Sequence, residues 1–108
     1  MTNRNPYRVA VCQVDEVPLG LGRPFDVAGK RIALFRNRTG KVFGVDGICP
    51  HKNGPLADGM LAGDSVVCPL HGFKFDSENG GCDQPGVCSI TTYPAEVVGG
   101  WILVTVPK

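Results

Sequence analysis

The sequence predicts an all-β chain of short strands joined by tight turns, and three observations carry that prediction. Fifteen glycines and nine prolines stand among 108 residues, about twice ordinary usage. They interrupt the chain so often that the longest stretch free of both is residues 7–17, with residues 30–39 next. Between the interruptions, apolar residues alternate or form short continuous blocks, as half-buried and doubly buried strands do. A membrane-spanning helix needs ~20 consecutive apolar residues and a bundle helix about ten or more uninterrupted ones, so both are excluded. A chain of 108 residues is expected to form one domain.

The first strand is expected over residues 7–12, with Val9 and Val11 on one face and Ala10 and Cys12 on the other. Pro18, Gly20, Gly22 and Pro24 then punctuate a loop leading into Phe25-Asp26-Val27, and Ala28-Gly29 is a turn. Residues 30–36 read as a strand whose centre, Ile32-Ala33-Leu34-Phe35, is apolar on both faces and is expected to be covered on both. Asn37 and Gly40 supply hairpin chemistry, and residues 41–45 return as a strand.

From Asp46 to about Gly81, glycine and proline break the chain every few residues, and only Met60-Leu61 and residues 65–68 look like strand pieces. Such a segment buries little apolar surface for its length, so something other than a core is expected to order it. Residues 89–98 then form a strand, Gly99-Gly100 a turn, and residues 101–106 a last strand in which Ile102, Val104 and Val106 alternate with Trp101, Leu103 and Thr105. Gly-Gly between two strand runs is a strong hairpin signal, and Trp101 is expected to pack on the scaffold. The chain thus divides into a β scaffold, residues 1–45 and 82–108, and an insert, residues 46–81.

Charge and targeting signals narrow the function classes. Eleven Lys/Arg against ten Asp/Glu leave a formal net charge of +1, which argues against a nucleic-acid partner held by a broad cationic face. The charges are segregated along the chain, nine basic against four acidic in residues 1–52 and two against six in residues 53–108, and are expected to wet different strand faces. Residues 1–6 are polar and no apolar targeting core follows, so a cytoplasmic location without membrane association is expected. Cytosolic thiols stay reduced, and five cysteines cannot all pair as disulfides.

Only two histidines occur, and both lie in the insert. One belongs to Cys49-Pro50-His51 and the other to Cys68-Pro69-Leu70-His71, with sixteen residues between His51 and Cys68. Each loop therefore offers one thiol and one imidazole beside a stiffening proline. A structural zinc site usually pairs like with like along the chain, whereas here the donor types are mixed within each loop. This suits a two-metal centre in which both thiolates bind one iron and both imidazoles the other, as in a [2Fe–2S] cluster with His₂ replacing Cys₂ on one iron. Mononuclear zinc remains the competing reading, because mixed Cys/His spacings also occur in zinc sites. Cys12, Cys82 and Cys88 are expected to be reduced thiols outside the site, and Phe73 and Phe75 core for the second loop.

At these residues the sequence resembles the Rieske family: Cys49-x-His51, sixteen residues, then Cys68-x-x-His71, with matches at Gly54-Pro55-Leu56, Asp58-Gly59, Gly63, His71-Gly72 and Phe75-Asp76. The resemblance implies a Rieske-type antiparallel β sandwich or barrel scaffold with an inserted cluster-binding subdomain. It implies one [2Fe–2S] cluster per chain, with Cys49 and Cys68 on the inner iron and His51 and His71 on the outer, more exposed one. The two extra cysteines of high-potential quinol-oxidising members are replaced here by Gly54 and Leu70, and no Ser or Tyr stands between Cys68 and Asp76. Hydrogen bonds to cluster sulfurs are one lever on potential, so a low-potential, ferredoxin-like centre is expected.

A [2Fe–2S] centre moves one electron, and no other catalytic set is visible. Gly20-Leu21-Gly22 lacks the rest of a dinucleotide fingerprint. No catalysis is expected from the isolated chain. Electrons would pass at an edge near His51 and His71, rimmed by Lys52, Asn53, Leu70, Gly72 and Pro85-Gly86. The run from Cys49 to Gly59, with Gly20-Leu21-Gly22-Arg23, Ile32-Ala33-Leu34-Phe35-Arg36 and Tyr93-Pro94, looks most like the small subunits of cytosolic NAD(P)H-dependent nitrite reductases. That resemblance implies a large flavin- and siroheme-containing subunit as partner. The alternative is the Rieske-type ferredoxin of a ring-hydroxylating dioxygenase system, and a third is a subunit whose cluster only stiffens the insert.

Overall fold

The computed structural model describes residues 7–48, 55–69, 72–83 and 89–106. Within these, every regular element is a strand except two single 3-10 turns, Val14–Glu16 and Leu56–Asp58. The strands are β1 (Tyr7–Gln13), β2 (Arg23–Val27), β3 (Lys30–Arg36), β4 (Val42–Asp46), β5 (Met60–Ala62), β6 (Ser65–Val67), β7 (Lys74–Asp76), β8 (Thr92–Tyr93), β9 (Ala95–Val98) and β10 (Trp101–Val106). They pair antiparallel in three sheets, ordered β1-β10-β9, β2-β3-β4-β8 and β5-β6-β7.

The middle sheet is covered on both sides. Side chains alternate across a strand with a period of two, so β3 sends Ile32 and Leu34 to one core and Ala33 and Phe35 to another. The first core is shared with Cys12, Val17, Ile102, Val104 and Val106; the second with Phe43, Val45, Leu56, Val66, Cys68 and Phe75. All four central residues of β3 are buried, as their double-faced apolar pattern predicts. The second core also corrects an expectation. Residues 46–81 are too poor in apolar surface to order themselves, yet Leu56, Ala57, Val66 and Phe75 bury against a face that the scaffold already provides.

Four local features differ from the pattern read in the sequence. The β1–β10 register shifts between Ala10 and Cys12, a bulge that turns Cys12 into the core while Ala10 stays exposed. Residues 89–98 are not one strand: β8 pairs with β4 and β9 with β10, and the chain changes sheets at Pro94. Proline has no N–H with which to continue a ladder, and its carbonyl instead accepts the Thr105 N–H at 2.8 Å. Strand β7 spans only three residues, too few for a period to show. Trp101 is 42% exposed, because the alternation that buries Ile102, Val104 and Val106 turns it outward.

The Gly99-Gly100 hairpin forms as expected, with Trp101 paired to Val98. The charge segregation along the chain becomes pairing in space. Arg8 pairs with Glu96 and Lys41 with Glu78, joining the basic half to the acidic half, while Arg31 reaches Asp26 at 2.7 Å between β2 and β3. Among the described residues, no helix is long and apolar enough to cross a membrane.

Truncation on the two faces of β3 separates the cores. Leu34→Ala is expected to cost about 2–5 kcal/mol and Phe35→Ala about 3–5 kcal/mol in guanidinium unfolding. Only Phe35→Ala, which opens the core holding Cys68, is expected to lower the iron bound per chain.

Candidate metal centre

Of the four expected ligands, Cys68 falls among the described residues, while Cys49, His51 and His71 lie outside them. Lys52, Asn53, Leu70, Pro85 and Gly86 of the expected rim, and Cys88, also lie outside. What the structure places is the frame on which both loops hang.

The first frame grows out of β4. After Asp46, the Gly47 N–H donates to the Arg31 carbonyl at 2.9 Å, and the Gly47 carbonyl accepts the Leu56 N–H at 2.9 Å. Ile48 bridges Pro55, so the two ends of segment 49–54 are held together. The 3-10 turn Leu56–Asp58 then drives Leu56 and Ala57 into the second core.

The second frame grows out of β6, which delivers Cys68 into that same core at 1% exposure. The Cys68 N–H donates to the Phe73 carbonyl at 2.8 Å, and its carbonyl accepts the Gly72 N–H at 3.0 Å. Gly72 has φ +70°, a left-handed conformation that glycine adopts without penalty. Pro69 and Gly72 are exposed, so the chain passes from core to surface within one turn. The frames also touch. A Cβ on Gly59 would overlap the carbonyl oxygen of Val67, so glycine alone lets the exit of the first loop lie against the strand that carries Cys68.

A third pair of loop ends lies alongside. The Asp83 N–H donates to the Lys74 carbonyl at 3.0 Å, and the Ile90 N–H to the Gly80 carbonyl at 2.9 Å, which anchors both ends of segment 84–88. Cys82 bridges Phe75 and packs, half-buried, on the second core.

A polar link ties these ends to the first frame. The Tyr93 hydroxyl donates to Asp46 Oδ1 at 3.2 Å, and the Thr91 N–H to Asp46 Oδ2 at 2.8 Å. The Asp46 N–H donates back to the Thr91 carbonyl at 2.9 Å. Burial, and after it the charge and hydrogen bond of Asp46, push the Tyr93 hydroxyl up to about 12. Nothing in the sequence singled out this pair, because the partners stand 47 positions apart. On the far side of β7, the Asp76 carboxylate accepts the N–H groups of Asn79 and Glu78, and these bonds hold its carboxyl below the usual value. Burial pushes the Cys12 thiol up to about 11, as suits an inert core cysteine.

The residues present fit an iron–sulfur centre. A thiol sealed in an apolar core, with the surface reached a few residues later, matches a sheltered inner ligand beside a more exposed outer one. Such an apolar shell controls water access and dielectric around a metal site.

Comparison with known proteins bears on the same region. The family model for the Rieske [2Fe-2S] domain matches residues 7–94. The ferredoxin subunit of the Escherichia coli 3-phenylpropionate/cinnamic acid dioxygenase is 35% identical over 103 residues, covering 94% of this chain and 95% of that protein. The cholesterol 7-desaturase nvd of Xenopus laevis is 33% identical over 96 residues, and the chain spans 21% of its length. In three dimensions the chain is similar to a Mycobacterium tuberculosis protein assigned as an NADH-dependent nitrite reductase small subunit. The TM-score is 0.85 at 28% identity, with 93% of this chain and 95% of that one covered.

Two measurements probe the frame. Gly59→Ala is expected to cost about 1–3 kcal/mol of stability, with iron retention falling alongside in purified protein. Tyr93 titrates near 12 when folded against an ordinary 10.0, so its stabilising effect is complete below about pH 10 and lost as pH rises through about 12. Unfolding titrations across that window are expected to show a steeper alkaline loss for the wild type than for Tyr93→Phe.

Proposed function

The chain belongs to the Rieske [2Fe-2S] family, whose domain binds a [2Fe-2S] cluster and transfers electrons, and on that premise we propose that it is the small subunit of a cytoplasmic NAD(P)H-dependent nitrite reductase. The complex would reduce nitrite to ammonium in nitrate assimilation. In this reading residues 1–108 form one Rieske domain, with the cluster held by Cys49 and Cys68 on one iron and His51 and His71 on the other. Bound there, the cluster supplies reversible one-electron storage.

The protein's own residues supply the rest. Backbone hydrogen bonds at Gly47 and Cys68 close both ligand segments at their bases, which limits how far the ligands can shift between oxidation states. The second core keeps water from the Cys68 thiol. Gly72, on the exposed side of the second loop, leaves the neighbouring surface open to a partner.

The observation that carries this reading is the fold agreement at TM-score 0.85 with the M. tuberculosis small subunit, joined to the Cys-Pro-His-Lys-Asn-Gly-Pro-Leu wording of residues 49–56. A second reading, a ferredoxin component of a ring-hydroxylating dioxygenase system, is supported by the 35% identity that runs nearly the full length of both chains.

Iron and acid-labile sulfide analysis is expected to find about two of each per chain; zinc without sulfide overturns the cluster. For the partner, the chain is co-expressed with a flavin- and siroheme-containing large subunit, and NADH-dependent nitrite reduction is compared for wild type and His71→Ala. Loss of activity with the subunits still associated is expected. Unchanged activity despite cluster loss assigns a stiffening role, and absence of any association favours the ferredoxin.

A further inference from the structure

Asp46 is a half-buried carboxylate at the end of β4, and the groups bonded to it are neutral. Its Oδ1 accepts the Tyr93 hydroxyl at 3.2 Å and its Oδ2 the Thr91 N–H at 2.8 Å. Among the described residues no cation pairs with it: Arg31, beside Gly47, gives its Nε to Asp26, Arg8 pairs with Glu96 and Lys41 with Glu78. An amide would serve the same two groups. Its oxygen can take the Thr91 N–H and its NH₂ can donate to the Tyr93 oxygen, since a phenol accepts as well as donates. The hydrogen bonds therefore do not require the negative charge. Keeping that charge half-buried without a counter-cation costs desolvation, which points to a role beyond linking two strands.

Position supplies the role. Three residues of chain, at most about 11 Å when extended, lead from Asp46 to Cys49. The Gly47–Leu56 hydrogen bond and the Ile48–Pro55 bridge hold the base of segment 49–54 beside the carboxylate. Salt screens a partly buried charge at such range far less than an exposed one. One-electron reduction adds one negative charge to a centre held by two thiolates and two neutral imidazoles, and a nearby carboxylate opposes that addition.

We propose that Asp46 is a positioning residue that also sets the potential of the metal centre: its carboxylate fixes the end of β4 against Thr91 and Tyr93, and its uncompensated charge favours the oxidised state. The Tyr93 hydroxyl moderates this effect, because a donor draws part of the carboxylate's charge onto itself. Burial keeps that hydroxyl protonated well above neutral pH. The inference rests on the reading above that Cys49 and Cys68 hold a [2Fe-2S] cluster, and it is independent of which larger protein the chain serves.

The test is a redox titration of the full chain with its cluster, with dithionite as the electron donor, followed by visible absorption and EPR. Asp46→Asn removes the charge and keeps the link, whereas Tyr93→Phe keeps the charge and removes the donor. At the potential that leaves the wild type half reduced, the reduced-to-oxidised ratio is expected to rise about threefold in Asp46→Asn and to fall in Tyr93→Phe. Iron per chain and the EPR line shape are expected to match the wild type, and the Asp46→Asn difference to shrink in about 1 M salt. A merely loosened frame would move both variants in the same direction. That outcome, or a wild-type ratio in Asp46→Asn with its cluster intact, overturns the proposal. If Asp46→Asn loses its iron, Tyr93→Phe decides: a lower ratio supports the assignment, and an unchanged or higher one overturns it. Wild-type protein without iron and acid-labile sulfide overturns the ligand reading, and the role of Asp46 with it.

Discussion

The structure depends on one constraint: the centre of β3 has no solvent face. Its four central residues must be covered from both sides, and the chain meets that demand with a core on each face of the middle sheet. The β5-β6-β7 sheet is built from strands of three residues each, at the short end of the usual range. It persists because Ala33, Phe35, Phe43 and Val45 offer a finished apolar face, onto which Leu56, Val66, Cys68 and Phe75 collapse. The scaffold therefore does more than carry the ligand region. It supplies half of that region's core.

This arrangement explains where the polar chemistry sits. Apolar burial fixes β6 and the Leu56–Asp58 turn but has no direction of its own. The directional work falls to hydrogen bonds at the loop bases: Gly47 with Arg31 and Leu56, Cys68 with Phe73 and Gly72, and Asp46 with Thr91 and Tyr93. The Asp46 link is the one that spans elements far apart in sequence. It joins the residue that precedes segment 49–54 to those that follow segment 84–88, so the ends of the two segments are registered against each other as well as against the sheet. A buried hydroxyl given to a carboxylate is a fully used donor, and such a link resists opening because its parts would be left unpaired.

Much of the fold was legible because its signals are local. The doubly apolar run from Ile32 to Phe35, the hairpin residues Asn37 and Gly40, and the Gly99-Gly100 turn each declare themselves within a few positions. The Cys49/His51 and Cys68/His71 donor pattern is equally local, carried by spacing and residue type, and of its four residues Cys68 alone falls among the described ones. What escaped were features set by distant partners. The bulge at Val11 depends on how β1 meets β10. The change of sheet at Pro94 depends on β4 competing with β10 for one segment. The outward turn of Trp101 follows from its register opposite Val98, and Asp46 gains its meaning only when Tyr93 arrives from 47 positions away. No local period encodes these, because each is decided by the strand that happens to pack alongside.

The same topology gives the molecule two ends with different chemistry. Strands β4 and β6 run from turns built of glycine and polar residues, 37–41 and 63–64, toward the ligand frames, so one end collects exposed polar turns while the other collects loop bases closed by backbone hydrogen bonds. The middle sheet, packed on both faces, joins the two ends, so the loop bases are set against a sheet that neither end can shift alone.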